Sequence, residues 1–220
     1  MEPVTIILGV IIILLVYFLY INYWKQNVLF EKINLNNSVP NITYASLSNP
    51  GSTRYSYGVW VYVNSWNSSQ KNIMSRGNDF SLYLDQTSPI LWCKIGVKSD
   101  GSSPNIIITN NFPIQKWTHV IVSVDNNIID FYIDGKLLLS KQINGIPVVS
   151  TADISFGGST DSTAPDIFLA KVYRWVYPMD PQSAWNEYLS GNGQSLLIPN
   201  YNVQLELLKD NVVNKKYSLF

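Results

Sequence analysis

The sequence predicts an all-β protein: a two-sheet antiparallel sandwich, with one N-terminal transmembrane helix and one short C-terminal helix. Three observations predict it. An uncharged, almost wholly aliphatic run opens the chain, strand-like alternating runs punctuated by Asn, Gly, Ser and Pro fill its middle, and the helix formers Glu and Ala are scarce. The 220 residues leave room for an anchor and one sandwich but not for a second full domain. The expected division is an anchor over 1–24, a tether over 25–54, the sandwich over 55–193 and a C-terminal β-hairpin extension over 194–220.

The anchor comes first. From Val4 to Ile21 no residue is charged, and 14 positions are Ile, Leu, Val or Phe, each favouring insertion by roughly 0.3 to 0.6 kcal/mol. As a helix this run is roughly 27 Å long, against a hydrocarbon layer of roughly 30 Å. Val4, Ile12 and Ile21 mark the span, and Tyr17, Tyr20, Tyr23 and Trp24 supply an aromatic belt at its end. A cleaved signal peptide is the rival reading, but the run lacks a basic start and ends in Tyr-Ile-Asn-Tyr-Trp instead of small residues. Lys25 and Lys32 follow the anchor whereas Glu2 precedes it, a bias that places the sandwich on the cytoplasmic side of a single-pass membrane protein. Three Asn-x-Ser/Thr triplets, at Asn36, Asn41 and Asn67, would accept glycans on the opposite side. Such triplets arise easily in an Asn- and Ser-rich chain.

The tether mixes charge, Asn, Ser, Pro40 and Pro50 without periodicity, so little regular structure is expected before residue 55. Then Tyr55, Tyr57, Val59, Val61 and Val63 alternate with Ser56, Gly58, Trp60, Tyr62 and Asn64, which is the period of a strand. Shorter runs recur at Phe80 to Leu84, Ile90 to Val97, Ile106 to Thr109, Thr118 to Asp125, Ile128 to Ile133, Lys136 to Lys141, Asp153 to Phe156 and Phe168 to Tyr177. Between Ile133 and Lys136 stands Asp134-Gly135, the pair that a type I′ hairpin turn favours because both central positions need positive φ. Met179 to Leu189 predicts a helix, with Asp180 as N-cap, Pro181 near its start and Gly191 after its end. Tyr201 to Leu207 alternates again, and Asp210-Asn211 turns the chain into a last strand.

Charge and cysteine content narrow the function. Fifteen basic residues balance fifteen acidic ones, so no net field draws the protein to nucleic acid, which is not an expected partner. Cys93 is the single cysteine, so the fold stands without an internal disulfide, which favours a reducing compartment.

The order of these pieces resembles the laminin-G-like members of the concanavalin A-like lectin/glucanase superfamily. The carriers are Tyr57-Gly58-Val59-Trp60-Val61-Tyr62-Val63, Trp117-Thr118-His119 with the strand that follows, Phe131-Tyr132-Ile133-Asp134-Gly135-Lys136, Ile154-Ser155-Phe156-Gly157-Gly158 and Phe168 to Trp175, followed by the helix ending Tyr188-Leu189-Ser190-Gly191. The resemblance covers about residues 55 to 193 and implies a jelly-roll sandwich. It gives Trp60, Trp117, His119, Tyr132, Asp134, Gly135 and Trp175 framework roles. Anchor, tether, terminal hairpin and the Asn/Ile/Tyr-rich composition also look similar to membrane-attached laminin-G-like proteins of large icosahedral DNA viruses. This second resemblance implies a virion role: a minor capsid protein, its sandwich facing the capsid, linking an internal membrane to a lattice of capsid proteins.

No catalytic residue is expected. Glycosidase relatives of that superfamily need paired carboxylates about 5 Å apart, yet Glu2, Glu31, Glu187 and Glu206 are scattered over four segments, and Asp134 has a turn to explain it. His119 is the only histidine and lacks a sequence partner for a triad or zinc site. Cys93, beside Trp92, reads as a small buried hydrophobe. No cofactor or metal is expected either; calcium stays an open alternative through the loop acids Asp85, Asp100, Asp153, Asp161 and Asp166, which match no spaced ligand motif. Trp60, Trp66, Trp92 and Trp117 serve a sugar-stacking face or core filling and partner contact equally well. The expected function is a non-catalytic, membrane-anchored structural or binding module with lipid bilayer and lattice proteins as partners, and a carbohydrate-binding, lectin-like module as the alternative.

Overall fold

A computed structural model of the chain describes residues 3–24, 28–68, 71–98, 103–157, 166–192, 204–209 and 212–218; the side chains of residues 3–7, 18, 20–24, 28, 31, 204–209 and 212–218 lie outside that description. In chain order the elements are helix α1 (Pro3–Trp24), β1 (Val28–Asn34), a 3-10 turn (Tyr44–Ser46), β2 (Arg54–Val63), β3 (Lys71–Arg76), β4 (Phe80–Leu84), β5 (Leu91–Ile95), β6 (Asn105–Thr109), β7 (Thr118–Asp125), β8 (Ile128–Ile133), β9 (Lys136–Gln142), β10 (Ile154–Phe156), β11 (Ile167–Trp175), α2 (Pro181–Leu189), β12 (Gln204–Lys209) and β13 (Val212–Ser218).

The all-β reading holds. A six-stranded sheet runs in the order β1-β11-β2-β7-β8-β9, and a five-stranded sheet in the order β10-β3-β4-β5-β6. Neighbours pair antiparallel throughout. The inward residues of the two sheets, among them Tyr57, Val59 and Val61 of β2, Val122 of β7, Phe131 of β8, Leu82 of β4 and Cys93 of β5, form one continuous core. A second, smaller cluster lies on the other face of the six-stranded sheet, where Ile121, Tyr132 and Trp175 meet Met179 and Ala184. Central strands β2 and β7 are therefore buried on both faces, which is why both alternating sets of β2 carry aromatics. Gly58 is where Trp175 comes closest: a Cβ there would stand 2.6 Å from the indole.

One expectation is corrected. The segment over 25–54 is not an irregular tether throughout, because Val28–Asn34 forms edge strand β1 against β11. Its sequence does not alternate, with Glu31 and Lys32 adjacent; pairing and burial decide its state, since Ile33 and Leu35 are in the core and Phe30 meets Phe156 edge-to-face at 5.4 Å. Strand β3 has no counterpart among the expected strands. Lys-Asn-Ile-Met-Ser-Arg has little strand signature, yet Lys71 and Arg76 are both buried because backbone carbonyls satisfy them: Arg76 donates to Ala152, Pro50 and Ser150, and Lys71 donates to Asn67 and Gln86. Lys71 also lies 4.3 Å from the Trp66 ring centroid.

The expected helix over 179–189 begins two residues later, at Pro181, because Asp180 caps it: its carboxylate accepts from the N–H groups of Gln182 and Ser183 at 2.9 and 3.0 Å. Strands β12 and β13 pair antiparallel with each other, and the expected turn at Asp210-Asn211 lies outside the described residues. Helix α1 covers the expected anchor. Its side chains are described only at positions 8–17 and 19, where the large apolar ones are exposed. Among the described residues no helix is long and apolar enough to cross a membrane.

Candidate functional site

Six of the seven framework residues, all but Trp117, gather on the outer side of the six-stranded sheet, mostly beneath α2. Asp134 and Gly135 turn β8 into β9 with φ of 48° and 74°, both in the left-handed region that a type I′ turn needs. Asp134 does more than turn: one carboxylate oxygen accepts the backbone N–H of His119 at 2.9 Å and the other pairs with Lys116 at 2.9 Å. A Cβ on Gly135 would stand 2.9 Å from both Trp185 and Tyr188, so the turn lets α2 sit directly on the backbone. Tyr132 donates its hydroxyl to the Met179 carbonyl at 3.1 Å, and Ser123 accepts the Met179 N–H at 2.8 Å. Burial first, then Asp130 and Asp180, push the Tyr132 hydroxyl up to about 12. Trp117 lies apart from this group, half-buried against Tyr62 at 5.4 Å.

His119 is buried in an aromatic triangle. The rings of Trp60, His119 and Tyr188 lie within 27° of parallel, with centroids 4.8, 5.6 and 6.4 Å apart. Its Nδ1 is buried without a hydrogen-bond partner. Burial lowers the imidazole to about 4, only partly offset by Asp134, so it is neutral at physiological pH. The ring as a whole is buried, which keeps it away from solvent.

The loop acids have protein partners. Asp85 accepts from the backbone and side chains of Thr87 and Ser88, which hold its carboxyl below the usual range. Asp166 accepts from Asn36, Asn64 and Ser65, and Asp153 from the Tyr44 N–H. Asp100 and Asp161 lie outside the described residues. Among the described residues no three His, Cys, Asp or Glu side chains converge as a metal site would require.

The four tryptophans do not share a face. Trp60 is buried beneath α2, and Trp66 is half-buried at Lys71. Trp92 points outward from the five-stranded sheet. Register puts it opposite Tyr83 on one side and Ile107 on the other, while Tyr83 faces Asn72 across β3. The Tyr83 and Trp92 rings are 7° from parallel with centroids 6.4 Å apart. A polar row runs beside this apolar one, Ser155, Ser75, Ser81, Lys94 and Asn105, again by cross-strand register. Ser75 and Ser155 share a hydrogen bond at 2.8 Å, and the Asn72 amide nitrogen donates to the Gly157 carbonyl at 2.7 Å. That fixes the Asn72 side chain and leaves its oxygen to accept from outside.

Tyr83, Ser81, Asn72 and Lys94 were not singled out by the sequence reading. A signal existed: Ser81 and Tyr83 alternate with the core residues Phe80, Leu82 and Leu84, as Trp92 and Lys94 do with Leu91, Cys93 and Ile95. Only the register of β4 against β5 brings the two rings together.

A two-sheet sandwich with an aromatic and polar outer face defines a lectin-like β-sandwich module. A family model described as the concanavalin A-like lectin/glucanases superfamily matches residues 36–173, more than half of the chain, and the chain belongs to that superfamily. Among solved structures, the botulinum neurotoxin type G receptor binding domain is similar at 16% identity and TM-score 0.51, covering 64% of this chain and 38% of that one. The binding domain of botulinum neurotoxin DC in complex with SialylT is similar at 17% identity and TM-score 0.53, covering 64% and 37%. The binding domain of Paraclostridial mosquitocidal protein 1 is similar at 14% identity and TM-score 0.53, covering 72% and 42%. These likenesses are of fold alone, and the chain spans less than half the length of those proteins. A search of curated proteins found no match.

Proposed function

We propose that this chain is a non-catalytic recognition module, held at a membrane by α1, whose sandwich binds saccharide on the outer face of the five-stranded sheet. The observation that carries the reading is the parallel Tyr83 and Trp92 pair, half-buried on an outward face with fixed polar groups beside it. Carbohydrate recognition needs this pairing of surfaces: aromatic rings take the apolar C–H side of a pyranose, and oriented donors and acceptors take its hydroxyls. Asn72, Ser81 and Lys94 flank the rings. The family, and neighbours that are themselves binding domains, support a binding role.

The membrane part rests on α1, whose Leu8, Val10 to Val16 and Leu19 are exposed. So much exposed aliphatic surface calls for a cover, and a bilayer supplies one. Flotation of the full chain with phosphatidylcholine vesicles tests it: the chain rises with the lipid, and a chain that stays at the bottom of the gradient refutes attachment.

The saccharide reading is tested by Trp92→Ala in the full chain, in mild detergent, on a glycan array. Retained glycans are expected to bind about tenfold more weakly, a loss of about 1.4 kcal/mol, with the melting temperature of the protein as the fold control. Unchanged binding by a folded variant removes the platform. A second reading, the minor capsid role, is favoured by a different surface: Leu137 and Leu138 on edge strand β9 and Trp185 and Leu189 on α2 are exposed and apolar, a surface suited to a protein neighbour. Cross-linking to a capsid protein through that surface supports it.

A further inference from the structure

We infer that one end of the sandwich, where β2 begins and β7 and β11 finish, rests on the bilayer, its exposed apolar side chains entering the interfacial layer of the lipid. This rests on the reading of α1 as a membrane attachment and adds the surface through which the sandwich itself meets lipid. The loops of that end form one connected group. Thr53 and Asn126 bond through backbone and side chain, Arg174 donates to the Ser48 and Asn49 carbonyls, Arg76 to those of Pro50 and Ser150, and the Val148 N–H to Gly96. On or beside these loops Ile128, Ile146, Val149, Val176 and Tyr177 are exposed. The loops at the opposite end are polar, with Asn36, Asn64 and Ser65 donating to Asp166, and among their described residues Ile114 alone is a large apolar side chain that stays exposed.

The reach of the chain selects the same end. Only residues 25–27 separate Trp24 of α1 from Val28 of β1, so however they are arranged those two Cα atoms lie at most about 15 Å apart. Val28 pairs with Tyr173 and Tyr173 with Gly58, which stands four residues from Arg54 at the apolar end, about 13 Å along the strand. The connection spans that distance. The opposite end, at Val63, is five residues from Gly58, about 17 Å, and β1 runs toward it, away from the anchor. A helix that ends at the lipid surface therefore holds the apolar end nearest to it. Five exposed apolar groups on one end call for a cover, and the interfacial layer accepts aliphatic and tyrosine side chains. Lys98 and Lys141, exposed at the same end, can extend to phosphate headgroups. The described acids there are Asp79, half-buried, Asp125, paired with Arg54, and Asp153, which accepts the Tyr44 N–H.

The test places a thiol-linked, environment-sensitive fluorophore on the full chain at Ile146→Cys, Tyr177→Cys or, as the far-end control, Ile114→Cys. Wild type, whose single cysteine Cys93 is buried, gives the labelling blank. Each protein is reconstituted into phosphatidylcholine vesicles with and without lipids that carry a nitroxide quencher near the headgroup. The expected result is that the labels at 146 and 177 shift to the blue on reconstitution and lose most of their emission to the nitroxide, while the label at 114 does neither. Melting temperature checks each fold, and Val149→Cys replaces either near-end variant that melts lower than wild type. If the chain floats with the vesicles but the near-end labels are quenched no more than the one at 114, the surface inference falls and attachment through α1 stands. If the chain does not float, both fall.

Discussion

Acid should weaken this fold through one histidine, and replacing His119 with Phe should remove that weakness. The unfolded chain takes a proton on His119 near pH 6.5, whereas the folded chain resists it until about pH 4 because the ring is buried among Trp60 and Tyr188. A depressed folded value on a group that is neutral when deprotonated means that the unfolded state binds more protons across this window. Stability is therefore intact above about pH 6.5 and falls as pH drops toward about 4. Between about pH 7 and about pH 4.5 the loss attributable to His119 is about 2.5 kcal/mol. The carboxylates held below their usual range, Asp85 and Asp180, lose stabilisation only at still lower pH, and Glu187, whose burial raises it, acts in the opposite sense. Wild type and variant share these groups, so their difference isolates the histidine. The assay is urea unfolding of the full chain in mild detergent, followed by tryptophan fluorescence at several pH values. His119→Phe keeps an aromatic ring in the triangle and removes the unpartnered Nδ1, so it should match or exceed wild-type stability at pH 7 and lose about 2.5 kcal/mol less on acidification. Parallel losses in both proteins would refute the assignment of the acid sensitivity to His119.

Two further outcomes follow from packing. Gly135→Ala combines a positive φ with a Cβ 2.9 Å from Trp185 and Tyr188, so it should cost about 2–4 kcal/mol and lower the melting temperature by several degrees; a variant within about 0.5 kcal/mol of wild type would show that α2 does not rest on the turn. Cys93 is fully buried and burial pushes its thiol well above the usual range, so the native protein should react with iodoacetamide only after denaturant is added, and fast labelling at pH 8 would contradict its place in the core.

Elements set by local chemistry were legible in the chain. The β8–β9 hairpin follows from Asp134-Gly135, because few other dipeptides tolerate two positive φ angles in succession. The cap of α2 follows from Asp180 and Pro181, and strands β4, β7 and β8 end where their hydrophobic runs end. Less legible were elements whose state depends on partners far along the chain. Strand β1 exists because β11 offers it an edge, and β3 because carbonyls from residues 50, 150 and 152 satisfy Arg76.

For the candidate site the division is sharper. Residue type alone marked Trp92 as one of four tryptophans with two roles open to it. Cross-strand register, which no single strand encodes, put it beside Tyr83 and within reach of Lys94, while the same sheet geometry carried Trp60 under α2. Sequence by itself determined the apolar leader, the alternating strands and the turn that joins β8 to β9, since each depends on neighbours a few residues away. Tertiary structure alone decided which faces meet and which stay open to solvent, because burial in a sandwich is settled between strands from distant parts of the chain.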